Sequence, residues 1–154
     1  MLIGLISDTH GLLRPEVHEA LAGVELILHA GDVCSDTILD ELSLIAPVRA
    51  VYGNCDDPWT PGLSQQLEME LGGLRIHVSH GHELGRPKPA ALAAAYDADV
   101  IVYGHTHVQL IERVGKQLVI NPGAAGPKRF ALPATVARLT IVDGRADAEL
   151  LTLA

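Results

Sequence analysis

With 154 residues, 48% of them apolar, the chain is large enough for one domain with a real core across residues 1–154. A net charge of −8 and an aromatic content of 3% argue against a nucleic-acid or membrane-surface binder, which needs a basic face, and against a base-stacking platform. Two cysteines make no disulfide framework and no apolar run approaches membrane-spanning length, so a reducing, cytoplasmic setting fits.

In chain order, "LIGLIS" (2–7) reads as a buried first strand rather than a signal peptide, because it is short, lacks a basic leader and is interrupted at Asp8. Pro15 and Glu16 open a helix to about Ala22. "VELILHA" (24–30) and "VRAVY" (48–52) are further near-continuous apolar runs, the signature of strands covered on both faces. Between them Ser35 is placed to cap a helix whose stripe is Ile38, Leu39, Leu42 and Ile45. A third helix is expected from near Pro87 through "AALAAAY", before the strand "DVIVYG" (99–104).

The second half reads as hairpins. Met69, Leu71, Leu74, Ile76 and Val78 share one face if Gly72-Gly73 is a two-residue turn, and Gly115-Lys116 and Asp143-Gly144 repeat the pattern. A β-α-β-α-β opening with an antiparallel finish predicts an α/β fold: a four-layer sandwich of two packed mixed sheets flanked by helices.

Strand after strand ends in polar residues: "SDTHG" (7–11), "HAGDV" (29–33), "YGNCD" (52–56), "SHGH" (79–82), "YGHTH" (103–107) and "INPGAA" (120–125). Carboxyl ends of strands line the ligand crevice of open α/β sheets. Asp8 and His10 are two residues apart, as are His105 and His107, so in extended chain each pair points one way. Asp32, Asn54 and His80 add a carboxylate, a carbonyl oxygen and an imidazole. Mixed oxygen and nitrogen donors without thiolate suit Mn²⁺, Fe or Zn²⁺ in a reactive site rather than a structural zinc. Seven donors exceed one ion's coordination and suit two ions sharing a carboxylate, typically about 3.5–4 Å apart. Taken singly, each motif is ordinary turn vocabulary; the force lies in all five, in this order, each after an apolar strand.

On these residues the chain resembles the calcineurin-like metallophosphoesterases, and within them the small YfcE-like phosphodiesterases. The motifs are Asp8-Thr9-His10, Gly31-Asp32, Gly53-Asn54-Cys55-Asp56, His80-Gly81 and Gly104-His105-Thr106-His107. The resemblance implies that Asp8, His10 and His107 hold a first divalent ion, that Asn54, His80 and His105 hold a second, and that Asp32 bridges them. It implies two ions, Mn²⁺ first, with Ni²⁺, Fe or Zn²⁺ as alternatives. The implied reaction is hydrolysis of a small phosphate diester by a hydroxide bridging the ions, with no covalent intermediate.

One position departs from the broader family. Many relatives carry His where this chain has Cys55, and a neutral thiol is a poorer proton donor to a leaving oxygen than imidazolium. That points to diesters over monoesters. Gly53 is read as the residue that lets the chain turn sharply before Asn54. His82 and Asp56 are expected to support catalysis, by orienting a ligand or the turn. Arg14, Lys128 and Arg129 are candidate substrate-phosphate cations. His18, His29 and His77 read as structural, and Cys34 and Cys55 as neighbouring reduced thiols. The alternatives are a phosphomonoesterase of the same fold and a non-catalytic scaffold like the related retromer subunit. No membrane partner and no nucleic acid beyond a small nucleotide is expected; a homo-oligomer is left open.

Overall fold

The computed structural model describes residues 1–128 and 131–153. Eleven strands, three α-helices and one short 3-10 helix, His82–Leu84, are found among them. The first sheet has the order β11-β10-β1-β2-β3-β4, with β1 Leu2–Ile6, β2 Leu26–His29, β3 Val48–Val51, β4 Leu63–Ser64, β10 Thr135–Val142 and β11 Arg145–Thr152. The second has the order β5-β6-β7-β9-β8, with β5 Gln66–Leu71, β6 Leu74–Ser79, β7 Val100–Val102, β8 Leu110–Val114 and β9 Gln117–Asn121. Both are mixed: β1, β2 and β3 run parallel in one, β6, β7 and β9 in the other.

Alternation along each strand builds the layers. Ile3, Leu5, Leu28, Ala137 and Leu139 face Ile76, Val78, Val100, Val102 and Ile120 between the sheets. Ile6, Ile27 and Val136 point the other way, under Val17 and Leu21 and under Ile38 and Leu42 of α2, Asp36–Leu42. Val17 belongs to α1, Glu16–Ala20. On the opposite outer face Leu92 of α3, Pro89–Ala95, covers Ile101, Tyr103 and Val119. The result is the expected helix–sheet–sheet–helix sandwich.

The helices are shorter than expected, for local reasons. After Ala20 the chain tightens into i→i+3 bonds, Ala22 N–H to Glu19 O and Val24 N–H to Leu21 O. The third helix starts at Pro89 rather than Pro87 because Lys88 precedes a proline and is held extended, at φ −88° and ψ 160°. Ser35 occupies the N-cap position of α2, but its hydroxyl pairs with Thr37 Oγ1 at 2.8 Å instead of capping a backbone N–H. The hairpins form in the predicted register, with Leu71 opposite Leu74, Val114 opposite Gln117 and Val142 opposite Arg145. No helix among the described residues is long and apolar enough to cross a membrane.

Candidate metal centre

The carboxyl ends of the parallel strands in both sheets meet at one edge. Asp8 N–H donates to Gly31 O, and His10 N–H and Gly11 N–H donate to Asp32 O and Val33 O, so the pairing of β1 with β2 continues beyond the strands. The sheets are laced together here: Ala125 N–H donates to Ser7 O, and His105 N–H donates to Asp8 Oδ2 at 3.1 Å.

The paired donors do not converge through extended chain. Asp8 (φ 52°), His10 (45°), Asp32 (54°), His105 (68°) and His107 (64°) all adopt left-handed backbone, as does Cys34 (67°). Three strand-end loops therefore repeat one device, positive φ at positions i and i+2. Each loop coils inward, and this coiling, not the alternation of a strand, aims both donors of a pair at one point. Such conformations are costly for most side chains and least so for Asp, Asn and His.

Asp8 is fully buried, and its Oδ1 lies 3.2 Å from His107 Nε2, 3.7 Å from His10 Nε2 and 3.8 Å from His80 Nε2. Asp32 Oδ2 lies 3.4 Å from His10 Nε2 and 3.3 Å from His80 Nε2. Asn54 Oδ1 is 3.1 Å from both His80 Nε2 and His105 Nδ1. One carboxylate thus stands between two donor groups, Asp8, His10 and His107 on one side and Asn54, His80 and His105 on the other. Asp8 Oδ1 and His10 Nε2 are buried without a hydrogen-bond partner, which is costly unless something else satisfies them. The donor types and these unsatisfied atoms fit divalent cations.

The remaining valences of the donors are anchored. Asp8 Oδ2 accepts from Ser7 Oγ at 2.7 Å, and Asp32 Oδ1 accepts from Cys55 N–H at 2.9 Å. His80 Nδ1 pairs with Ala30 O at 2.8 Å, which leaves Nε2 to face the centre. Cys34 Sγ lies 3.8 Å from His10 Nδ1. Asp56 accepts three backbone N–H groups, from Val33 (3.1 Å), Cys34 (2.8 Å) and Gly53 (2.8 Å), and so ties the Gly31-Asp32 loop to the Gly53-Asn54 loop. The chain turns at Gly53 as expected, with Asp56 N–H donating to Gly53 O at 3.2 Å, and the glycine is required there by a close approach rather than by a left-handed φ: a Cβ would lie 2.1 Å from Asp32 Oδ1. A Cβ at Gly104 would lie 2.0 Å from Ser7 Oγ and 2.6 Å from Asp8 Oδ2. Both glycines are there to let a carboxylate approach.

Electrostatics follow from the crowding. Burial alone would raise the pKa values of Asp8 and Asp32, but the surrounding imidazoles overcome it and hold both carboxyls below their ordinary range. Burial works against charge on His80, yet Asp32 and Asp8 raise its pKa. The Cys34 thiol is pushed up to about 12 by burial and by Asp56 and Asp32, so it stays protonated.

The other expected residues divide. His82 is adjacent, its ring 5.3 Å from that of His80 and 6.2 Å from that of His105, with Nδ1 buried and without a hydrogen-bond partner. Arg14 Nε donates to Gly126 O at 3.0 Å, so this cation braces the loop after β9. Lys128 is exposed, and Arg129 lies outside the described residues. His18 pairs with Glu41, His77 with Glu68 and Ser79, and His29 with Thr9 and Gly31, consistent with structural roles. Neither cysteine is in a disulfide. Sequence reasoning missed Ser7, Thr9 and Asn121; Asn121 Nδ2 donates to Gly104 O and Thr106 Oγ1, supporting the His105–His107 loop from beneath. Only the polar ending of "INPGAA" hinted at it.

Comparison with known proteins agrees with this geometry. The model of the calcineurin-like phosphoesterase superfamily domain matches residues 1–144. A probable metallophosphoesterase from Methanothermobacter thermautotrophicus is 37% identical over 159 residues, covering 98% of this chain and 92% of that protein. The phosphodiesterase YfcE of Escherichia coli is 29% identical over 171 residues, covering 90% and 87%. Among solved structures, wild-type Vps29 from Entamoeba histolytica complexed with zinc superposes with a TM-score of 0.79 at 27% identity, covering 99% of each chain. By sequence and by fold, this chain belongs to the calcineurin-like phosphoesterase superfamily, and it is a metallophosphoesterase.

Proposed function

We propose that this protein hydrolyses small phosphate diesters with two divalent ions, Asp8, His10 and His107 holding one, Asn54, His80 and His105 the other, and Asp32 both. The observation that carries the reading is the placement of Asp32 between two complete donor groups, with Asp8 Oδ1 and His10 Nε2 buried and unsatisfied. When bound, such a pair of ions supplies hydroxide at neutral pH and offsets the charge of the phosphoryl oxygens. The chain's own residues do the rest. The depressed pKa values of Asp8 and Asp32 keep both anionic at neutral pH. The bond from His80 to Ala30 O fixes that ring's tautomer, and Cys55 N–H fixes the rotation of Asp32. Cys55 itself lies at the centre: one donor atom each from His10, Asp32 and Cys55 fall within 4.8 Å of one another. A thiol there protonates a poor leaving oxygen weakly, which supports diesters over monoesters.

Manganese is the proposed metal, and a cytoplasmic, single-domain enzyme the proposed context. The test is turnover of bis(p-nitrophenyl) phosphate by chelated protein with Mn²⁺, Ni²⁺, Fe²⁺ or Zn²⁺ restored, alongside p-nitrophenyl phosphate. Diester turnover should return with metal. Asp32→Ala should reduce it at least 100-fold, on the order expected for losing a group that holds both ions, and should lower bound metal by elemental analysis. Activity surviving that substitution, or a strong monoester preference, overturns the reading. The likeness to Vps29 supports a non-catalytic binding role as the second reading; absence of turnover with both ions bound would favour it.

A further inference from the structure

Two of the three coiled loops carry a threonine between their donors, Asp8-Thr9-His10 and His105-Thr106-His107. In both, a fully buried polar side chain pins the threonine hydroxyl at the same distance. Thr9 Oγ1 lies 3.0 Å from His29 Nε2, and Asn121 Nδ2 donates to Thr106 Oγ1 at 3.0 Å. The two anchors correspond in the topology. His29 is the last residue of β2, the parallel neighbour of β1, and β1 leads into the first loop. Asn121 is the last residue of β9, the parallel neighbour of β7, and β7 leads into the second.

Each anchor is itself oriented. His29 Nδ1 accepts Gly31 N–H at 3.1 Å, so the neutral ring carries its proton on Nε2 and donates to Thr9. Asn121 Oδ1 accepts Gly123 N–H at 2.9 Å, which leaves Nδ2 for Thr106 Oγ1 and Gly104 O. The hydroxyls bond onward, Thr9 O–H donating to Val33 O at 3.1 Å and Thr106 Oγ1 accepting Val108 N–H at 3.3 Å. A β-branched side chain is stiff about χ1, so a hydroxyl held this way also holds the backbone beneath it. The third coiled loop is the contrast. Asp32 and Cys34 flank Val33, only Asp32 belongs to the donor groups, and the middle residue is held through its N–H by Asp56 instead of through a hydroxyl. The threonine thus stands where both flanking residues are donors.

We infer that Thr9 and Thr106 are positioning residues of the metal centre: each hydroxyl, locked to the end of the neighbouring strand, holds two donors in the left-handed backbone that aims them. The inference rests on the two-ion reading and adds residues outside the donor groups that set ion affinity. The two loops serve the ions differently. Asp8 and His10 belong to one donor group, whereas His107 belongs to that group and His105 to the other. Asp32 keeps its place without the Thr9 hydroxyl, because His10 N–H and Gly11 N–H still bond to Asp32 O and Val33 O. Loss of the Thr9 hydroxyl should therefore weaken one ion, and loss of the Thr106 hydroxyl both.

The experiment titrates chelated protein with Mn²⁺ and follows the EPR signal of the free ion, which gives a dissociation constant for each binding step. Thr9→Val should raise one of the two constants about tenfold and leave the other unchanged, and Thr106→Val should raise both about tenfold, the lower end of the cost of losing a group behind a ligand. Thr9→Ser and Thr106→Ser return the hydroxyl and should restore the constants, which a role in packing alone would not do. Urea unfolding of the metal-free variants reads folding separately. Thr106 is half-buried, so Thr106→Val carries the test if the buried Thr9→Val fails to fold. Unchanged constants in either folded valine variant overturn the inference, as do equal losses in a valine variant and its serine counterpart. Wild-type protein that binds a single ion overturns the two-ion reading instead; the inference then stands if that one constant rises with valine and recovers with serine, and falls if it does not. Wild-type protein that binds no ion overturns both.

Discussion

Cys55 is where residue chemistry bears most directly on substrate choice. Its backbone N–H holds Asp32 while its thiol lies among the donors, so the side chain can be changed without removing the backbone bond. Cys55→His should raise kcat/KM on an alkyl phosphate monoester, whose alkoxide must be protonated to leave, about tenfold by phosphate release, at the lower end of what a positioned acid contributes, with a smaller change on p-nitrophenyl esters, whose phenolate leaves unprotonated. An unchanged rate on the alkyl monoester would remove position 55 from proton delivery. The candidate donors that the fold brings together were legible in the sequence because ligand chemistry is written in residue type: Asp, Asn and His recur at the strand ends among the Gly, Ser and Thr of ordinary turns. Gly53 was legible as a turn residue, but its closer constraint, the Asp32 carboxylate against its Cα, was not, since a glycine demanded by a nearby carboxylate and one demanded by a turn look alike in one dimension.

At the scale of elements, the loops matter more than the strands. The sequence spacing that placed Asp8 with His10 and His105 with His107 gave the right pairs through the wrong geometry. Position i+2 shares a face in extended chain, but two left-handed residues flanking one other also bring side chains together, and a spacing cannot distinguish them. Asp56 was likewise visible only as a carboxylate near the site; its three N–H partners come from loops 20 residues apart in sequence and needed the fold. Asp56→Asn removes one acceptor oxygen and the charge from this clamp. It should lower stability by about 1 kcal/mol, the low end of the cost of orphaning an N–H group, because these bonds are part-buried or exposed, read by urea unfolding. It should also weaken the affinity for the second ion more than the first, because Asn54 belongs to the released loop. Unchanged ion affinity in a destabilised variant would mean that the clamp serves folding alone. The hairpins, by contrast, were readable almost to the residue, since two-residue turns fix register locally.

The molecule as a whole is two sheets fastened at one edge by polar contacts, and His29 lies beneath that edge. It is fully buried; Nδ1 accepts Gly31 N–H at 3.1 Å and Nε2 pairs with Thr9 Oγ1 at 3.0 Å, an arrangement that suits the neutral ring. Burial lowers its pKa from 6.5 to about 4, against the opposing pull of Asp8 and Asp56. A pKa lower in the folded state means that the unfolded chain binds the extra proton first. The stability from His29 is therefore complete above pH 6.5 and is lost as pH falls toward 4. Unfolding free energy should drop across that window by on the order of 3 kcal/mol, one proton's linkage over the shift, and His29→Asn should flatten the slope. A slope that survives His29→Asn would assign the proton uptake to another group. Asp8 and Asp32, with depressed pKa values, lose their share only below the ordinary carboxylate range, so the two effects separate by pH.

Asp8, His10, Asp32, His105 and His107 all stand at positive φ, where Asp, Asn, His and Gly are tolerated and branched side chains are not. The residues that the backbone permits are thus nearly the same residues that coordinate a cation. Drift at these five positions is confined to a vocabulary that preserves or dilutes coordination and excludes bulky plugs. A descendant that gave up catalysis would keep a hollow, polar rim, ready to be used again for a different ion or for a partner.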